Sequence, residues 1–152
     1  MREGVRLAID VGTVRIGVAR SDRHAMLASP VATVARGDGD LARIAALAAE
    51  EEAIEVYVGL PKALSGRTTA STEDAVAFGR ELAASLGDDR VRFVDERLST
   101  VSAAGQLHAS GKRAKRQRQV IDQVAATIIL EAALESERRT GIQPGIPVSA
   151  IG

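Results

Sequence analysis

Leu7-Ala8-Ile9-Asp10-Val11-Gly12-Thr13-Val14-Arg15-Ile16-Gly17-Val18-Ala19-Arg20 is the stretch on which the reading of this chain turns. Two β-rich segments, 6–10 and 15–20, flank a short turn around Gly12, the pattern of an antiparallel hairpin. The first segment ends on a carboxylate. Carboxylates are seldom buried unless paired or bound to a cation, so an acid ending an apolar strand calls for a reason. Two further positions are comparable. Asp95-Glu96 follows the β-rich run Val91–Val94, and Asp122 sits on the apolar side of a helical segment, Val120-Ile121-Asp122-Gln123-Val124-Ala125-Ala126. Three such acids predict a hard-cation site, because oxygen ligands suit Mg²⁺ or Mn²⁺.

Outward from the hairpin, Pro30 precedes a third β-rich stretch, 31–34. Gly37-Asp38-Gly39-Asp40 breaks the chain and offers an N-cap to a helix from Leu41 to about Glu52, with Leu41, Ile44, Ala45 and Ala48 facing inward. Residues 56–59 then read as a fully buried strand ended by Leu60-Pro61. A loop leads to a helix from about Thr72 to Leu86, which Gly87 stops. Residues 91–94 form the fifth strand. Ser99 or Thr100 caps a helix ending near Gly111, and a last helix runs to about Arg138. The expected architecture is α/β: a mixed five-stranded sheet, three antiparallel strands first and two added by helical crossovers, flanked by helices. One domain over residues 1–140 is expected, followed by an irregular tail, 141–152.

Composition narrows the function classes. The chain has 152 residues, 45% hydrophobic and 26% charged, as expected of one globular domain. It has no cysteine and two histidines, which excludes a thiolate metal site and argues against zinc. With strand-length apolar runs and no signal-like opening, a cytoplasmic protein without membrane association is expected. The net charge of zero conceals a basic run, Lys112, Arg113, Lys115, Arg116 and Arg118, without an intervening acid. Such a local patch suits nucleic acid, although a basic run can equally be a solvated face. Arg15 and Arg97 lie close in sequence to two of the acids; they could clamp phosphates or neutralise the carboxylates. Aromatic residues amount to one tyrosine and two phenylalanines, so base stacking has little material to work with.

Within 152 residues, four ordered motifs carry a resemblance: Asp10-Val-Gly-Thr-Val-Arg15-Ile-Gly-Val-Ala-Arg-Ser-Asp22, Val58-Gly-Leu-Pro61, Asp95-Glu-Arg-Leu-Ser-Thr100 and Asp122-Gln-Val-Ala-Ala-Thr-Ile-Ile-Leu130. Together they resemble the YqgF family of Holliday-junction resolvase-like proteins, also described as pre-16S rRNA nucleases, over residues 5 to about 134. The resemblance implies a ribonuclease H-like fold and a nuclease using Mg²⁺ or Mn²⁺. It also implies that Asp10, Glu96 and Asp122 are the catalytic, metal-binding acids. Alternation allows only one of Asp95 and Glu96 to face the site; the resemblance selects Glu96. Ser99 stands where that family usually has threonine, and residues 62–66 match its loop only in part. Candidate nucleic-acid contacts are Arg15, Arg97, Lys112, Arg113, Lys115 and Arg116.

Two other readings use the same residues. The opening Leu7-Ala-Ile-Asp-Val-Gly-Thr13 also looks like the first phosphate loop of actin-like ATPases and sugar kinases. That class needs two such domains around the nucleotide, and no second glycine-rich loop follows. A non-catalytic nucleic-acid-binding module of the same fold is the other alternative. Between precursor ribosomal RNA and four-way DNA the residues leave the substrate open. They leave the assembly open too, monomer or homodimer, since symmetric junction resolution needs two active sites.

Overall fold

The computed structural model of the chain describes residues 1–61, 66–96 and 114–151. The hairpin is present: β1, Arg6–Val11, pairs antiparallel with β2, Arg15–Ser21. Gly12 closes the turn by donating its N–H to the Arg15 carbonyl at 2.9 Å. A Cβ there would stand 2.8 Å from the same oxygen, so the turn requires glycine.

β3, Ala28–Ala35, continues the antiparallel set and is longer than its apolar run suggested. Pro30 lies inside it. Proline is tolerated because β3 is an edge strand and its pairing with β2 shifts register between Val18 and Ala19, opposite Pro30. Helix α1, Asp40–Glu50, stops short of the expected Glu52, which adopts φ 52° and leaves the helix. β4, Glu55–Leu60, is buried throughout and pairs parallel with β1 on the side away from β2. Helix α2, Ala70–Leu86, begins two residues earlier than periodicity indicated. Thr69 caps it in a reciprocal box with Thr72. β5, Val91–Asp95, pairs parallel with β4. Helix α3, Ala114–Thr140, crosses the opposite face of the sheet, over β1, β2 and β3. The helix expected between Ser99 and Gly111 falls outside the described residues.

The sheet has six strands, ordered β3-β2-β1-β4-β5-β6, rather than five. The extra strand, β6, is Ile146–Pro147 within the segment expected to be irregular, and it pairs antiparallel with β5. Two residues carry no period to read. What holds them is Arg92, whose guanidinium donates to the Pro144 and Gly145 carbonyls at 2.7 and 3.0 Å.

Alternation along the strands makes two unlike cores. Leu7, Ile9, Val11, Ile16, Val18, Val56, Val58 and Phe93 meet α1 and α2 in a core of large side chains. The α3 side is built from small ones: Ala8, Ala19, Ala125, Ala126 and Ala133, with Tyr57, Ile129 and Leu130. Small residues on both surfaces let α3 lie close to the sheet, which brings its N-terminal half against the ends of β1 and β2. Among the described residues no helix is long and apolar enough to cross a membrane.

Candidate active site

One row of residues crosses the α3-facing side of the sheet. Thr33 on β3 pairs with Gly17 on β2, and Gly17 pairs with Asp10 on β1. Partners directly opposite on antiparallel strands point to the same face, so all three face α3. The β1–β4 register, which takes Ile9 to Val58, brings Gly59 beside Asp10 from the other side. Asp10 is therefore flanked by a glycine on each neighbouring strand.

The two glycines leave room for the other two acids. At Gly17 a Cβ would run into the Asp122 backbone carbonyl and stand 3.1 Å from the Asp122 Cβ. At Gly59 it would stand 2.6 Å from Glu96 Oε1 and 2.6 Å from Ile129 Cδ1. Glu96 thus lies over Gly59, on the same face as Val94. Asp95 pairs with Leu60 and belongs to the opposite face by alternation. Of the two adjacent acids, Glu96 is the one beside Asp10.

The electrostatics reflect burial first, with neighbouring negative charge adding to it. Burial raises the Asp10 carboxyl to about 6, and the Asp122 charge adds to this, while a hydrogen bond from Glu96 works in the opposite sense. Burial is also the main cause that raises Glu96 to about 8, followed by the Asp10 charge and the bond to Asp10, and then by Asp95. Glu96 is thus the more readily protonated of the two and donates a hydrogen bond to the Asp10 carboxylate. Asp122 turns its side chain elsewhere: Arg15 Nε donates to Oδ2 at 2.8 Å. Among the described residues no three acidic or histidine side chains converge tightly enough to hold a metal ion as they stand. The structure brings Asp10 and Glu96 into contact, with Asp122 alongside but facing Arg15. The donor set nonetheless fits a hard cation: three carboxylates, all oxygen donors, are gathered along one row beside two strand glycines.

The other candidates divide. Arg15 neutralises one acid, one of the two roles open to it from sequence. Arg97, Lys112 and Arg113 lie outside the described residues; Lys115 and Arg116 fall in the first turns of α3, but their side chains lie outside as well. Sequence reasoning passed over Gly17 and Gly59, although a glycine inside a strand is itself a sign of close approach. It also passed over Gln123, whose Nε2 donates to Thr33 Oγ1 at 2.9 Å and ties α3 to the edge strand beside Asp122. A third omission is Arg36, which donates to the Gly12 carbonyl at 2.7 Å and to Asp74 at 2.8 Å, bracing the β1–β2 turn against α2.

Known proteins resemble this chain over most of its length. The model of the family described as "RuvX: Holliday junction resolvase" matches residues 4–136. A Clavibacter sepedonicus protein described as "Putative pre-16S rRNA nuclease" is 59% identical over 148 residues, spanning 95% of this chain and 91% of its own length. A Leifsonia xyli subsp. xyli protein of the same description is 59% identical over 150 residues, spanning 97% and 96%. Among solved structures, "T. thermophilus RuvC in complex with Holliday junction substrate" superposes with a TM-score of 0.57 at 13% identity, over 92% of this chain and 99% of that one. At that identity the likeness concerns the fold, which is ribonuclease H-like.

Proposed function

We propose, because the chain belongs to the Holliday junction resolvase family RuvX, that it is a metal-dependent nuclease hydrolysing phosphodiester bonds of structured RNA in precursors of 16S rRNA. The observation that carries the reading is the buried Asp10–Glu96 pair, with Asp122 against Gly17 at the same row. The substrate follows the relatives at 59% identity, whose description names pre-16S rRNA.

Mg²⁺ or Mn²⁺ held by Asp10, Glu96 and Asp122 would supply an activated water and neutralise charge at the leaving oxygen. The chain's own residues do the rest. Asp10, at the centre of the row, contributes the carboxylate nearest both neighbours. Glu96 must shed the proton it shares with Asp10 to become an anionic ligand, so ionisation of this carboxyl belongs to the path toward activity. Gly17 and Gly59 make room for the Asp122 backbone and for the Glu96 side chain, and the Gln123–Thr33 bond keeps α3 in register above the sheet. Tyr57, Phe78 and Phe93, which make up the chain's whole aromatic complement, are all buried. None is available to stack on a base, so recognition falls to backbone and shape. Lys112, Arg113, Lys115, Arg116, Arg97 and Arg15 are the basic residues proposed to meet the phosphates.

The family's description favours a second reading, cleavage of four-way DNA. Both are tested by offering precursor RNA and a synthetic four-way junction side by side, with Mg²⁺ or Mn²⁺ and with a chelator. Metal-dependent cleavage of the RNA, abolished in Asp10→Asn, is the expected result. Cleavage of the junction alone transfers the assignment to DNA, and cleavage that survives both chelator and Asp10→Asn overturns the site.

A further inference from the structure

Asp122 is held in an unusual way for a prospective ligand. Its backbone is fixed, because its carbonyl rests on Gly17, where no larger residue fits. Its side chain therefore has only rotamer freedom to choose among partners. It lies near enough to Asp10 for its charge to be felt there, yet its Oδ2 accepts from Arg15 Nε. Arg15 sits on β2 two residues before Gly17 and so faces the same side of the sheet. The two side chains are about equally exposed, 20% for Arg15 and 19% for Asp122, so the pair is partly open to solvent.

We infer that Arg15 is a resident counterion of this site, holding Asp122 in the metal-free chain and surrendering it when a divalent cation enters. The inference rests on the metal-site reading above and goes beyond it. A guanidinium cannot be deprotonated in proteins, so Arg15 competes with the cation as charge against charge. Breaking a partly exposed pair opposes metal binding only modestly. Once released, the planar fork beside the acids is free to grip phosphate oxygens in two bonds. The same arginine would thus keep the acids from repelling one another before loading and hold substrate after it. Both roles left open by the sequence then belong to one residue, in succession.

The test uses the full chain without nucleic acid. Mn²⁺ binding is followed by electron paramagnetic resonance in the wild type, Arg15→Gln and Asp10→Asn. Arg15→Gln should bind Mn²⁺ about fivefold tighter than wild type, since a competitor of roughly that strength is gone. Asp10→Asn should bind at least about tenfold weaker. In the wild type, the Arg15 Nε–H resonance should move as Mg²⁺ is added, toward the position it already holds in metal-free Asp122→Asn. Unchanged or weaker Mn²⁺ binding by Arg15→Gln overturns the inference while leaving the metal site standing. An Nε–H signal unmoved at saturating Mg²⁺ does the same, and decides the matter if Arg15→Gln does not fold. Failure of the wild type to bind Mn²⁺ overturns the metal site itself and this inference with it.

Discussion

The α3-facing side of the sheet carries a charged cluster at each end, and the two are built on opposite terms. At the start of β1 and β4, Arg6, Glu55 and Glu137 are buried together. Glu55 accepts from Arg2 at 2.8 Å, Tyr57 at 2.8 Å and Gln143 at 2.7 Å. Glu137 accepts from Arg2 at 2.5 Å and Arg6 at 3.0 Å. Burial works against the charge on Glu137, but the bonds from Arg2 prevail and hold its carboxyl below the usual range. At the far end of the same strands, Asp10 and Glu96 are hydrogen-bonded to one another, and both carboxyls are raised, chiefly by burial. Burial is common to both ends; among the described residues the acids of the first bond to two arginines, while at the second one arginine meets Asp122 and Asp10 bonds to another carboxyl. The first cluster stitches the N-terminus and the end of α3 to the sheet. In the second, two buried acids share a hydrogen bond at raised pKa values, a perturbation of the kind that marks a candidate functional site.

The difference can be broken most severely at Asp10. Asp10→Asn should reduce cleavage by more than about a hundredfold, beyond the cost of losing an outer-shell partner of a metal ligand. Metal-free thermal stability should hold or rise, because a repelling charge is gone. A fall in melting temperature with activity retained would reverse the roles assigned to the two ends. At the other end Glu137→Ala should do the opposite. It should cost about 3 kcal/mol in urea unfolding, the lower part of the range for breaking a buried pair since Arg2 is partly exposed. Cleavage per folded molecule should stay near wild type.

Crowding the two strand glycines should affect both properties at once. Gly17→Ala places a Cβ against the Asp122 carbonyl, which as backbone yields only if α3 lifts. A loss of about 1–3 kcal/mol is expected, with weaker Mn²⁺ binding. Gly59→Ala meets the far ends of Glu96 and Ile129, so its effect should fall on activity more than on stability. Equal stability losses in the two variants would contradict this distinction.

The pH dependence of metal-free stability sharpens the contrast further. Asp10 and Glu96 are raised, from ordinary values near 4 to about 6 and about 8. Their contribution is complete below their unfolded values and is lost as pH rises through about 6 and then about 8. Glu137 is lowered, so its contribution is present above the usual glutamate range and is lost as pH falls below it. Unfolding measured from pH 3 to 9 should therefore lose part of its alkaline slope in Asp10→Asn, with the burial-raised Glu96 keeping the rest, and part of its acid slope in Glu137→Gln. The smallest effect is expected for Thr33→Val, which removes the hydroxyl that receives Gln123. About 1 kcal/mol is the typical worth of such a bond, and a several-fold loss of Mn²⁺ affinity would tie it to the placement of Asp122.

Much of the fold was legible because its signals are local. The short β-rich runs of β1, β2, β4 and β5, the 3.6 stripe of α1 and the stop of α2 at Gly87 depend on neighbours a few residues apart. The three acids were conspicuous for the same reason, each being the wrong residue type for its local pattern. Contacts between distant segments were not legible. β6 is two residues held by Arg92, Arg6 and Glu55 read as ordinary strand residues until α3 delivers Glu137, and Gly17 and Gly59 gain their meaning only from what presses on them. Which of Asp95 and Glu96 lies beside Asp10, which alternation alone left open, became visible in the contact of Glu96 with the Gly59 row. A sequence states which charges a chain carries and on which face a strand presents them. Whether a buried charge meets its opposite or its like depends on how closely a helix from a hundred residues away can approach, and packing alone decides that.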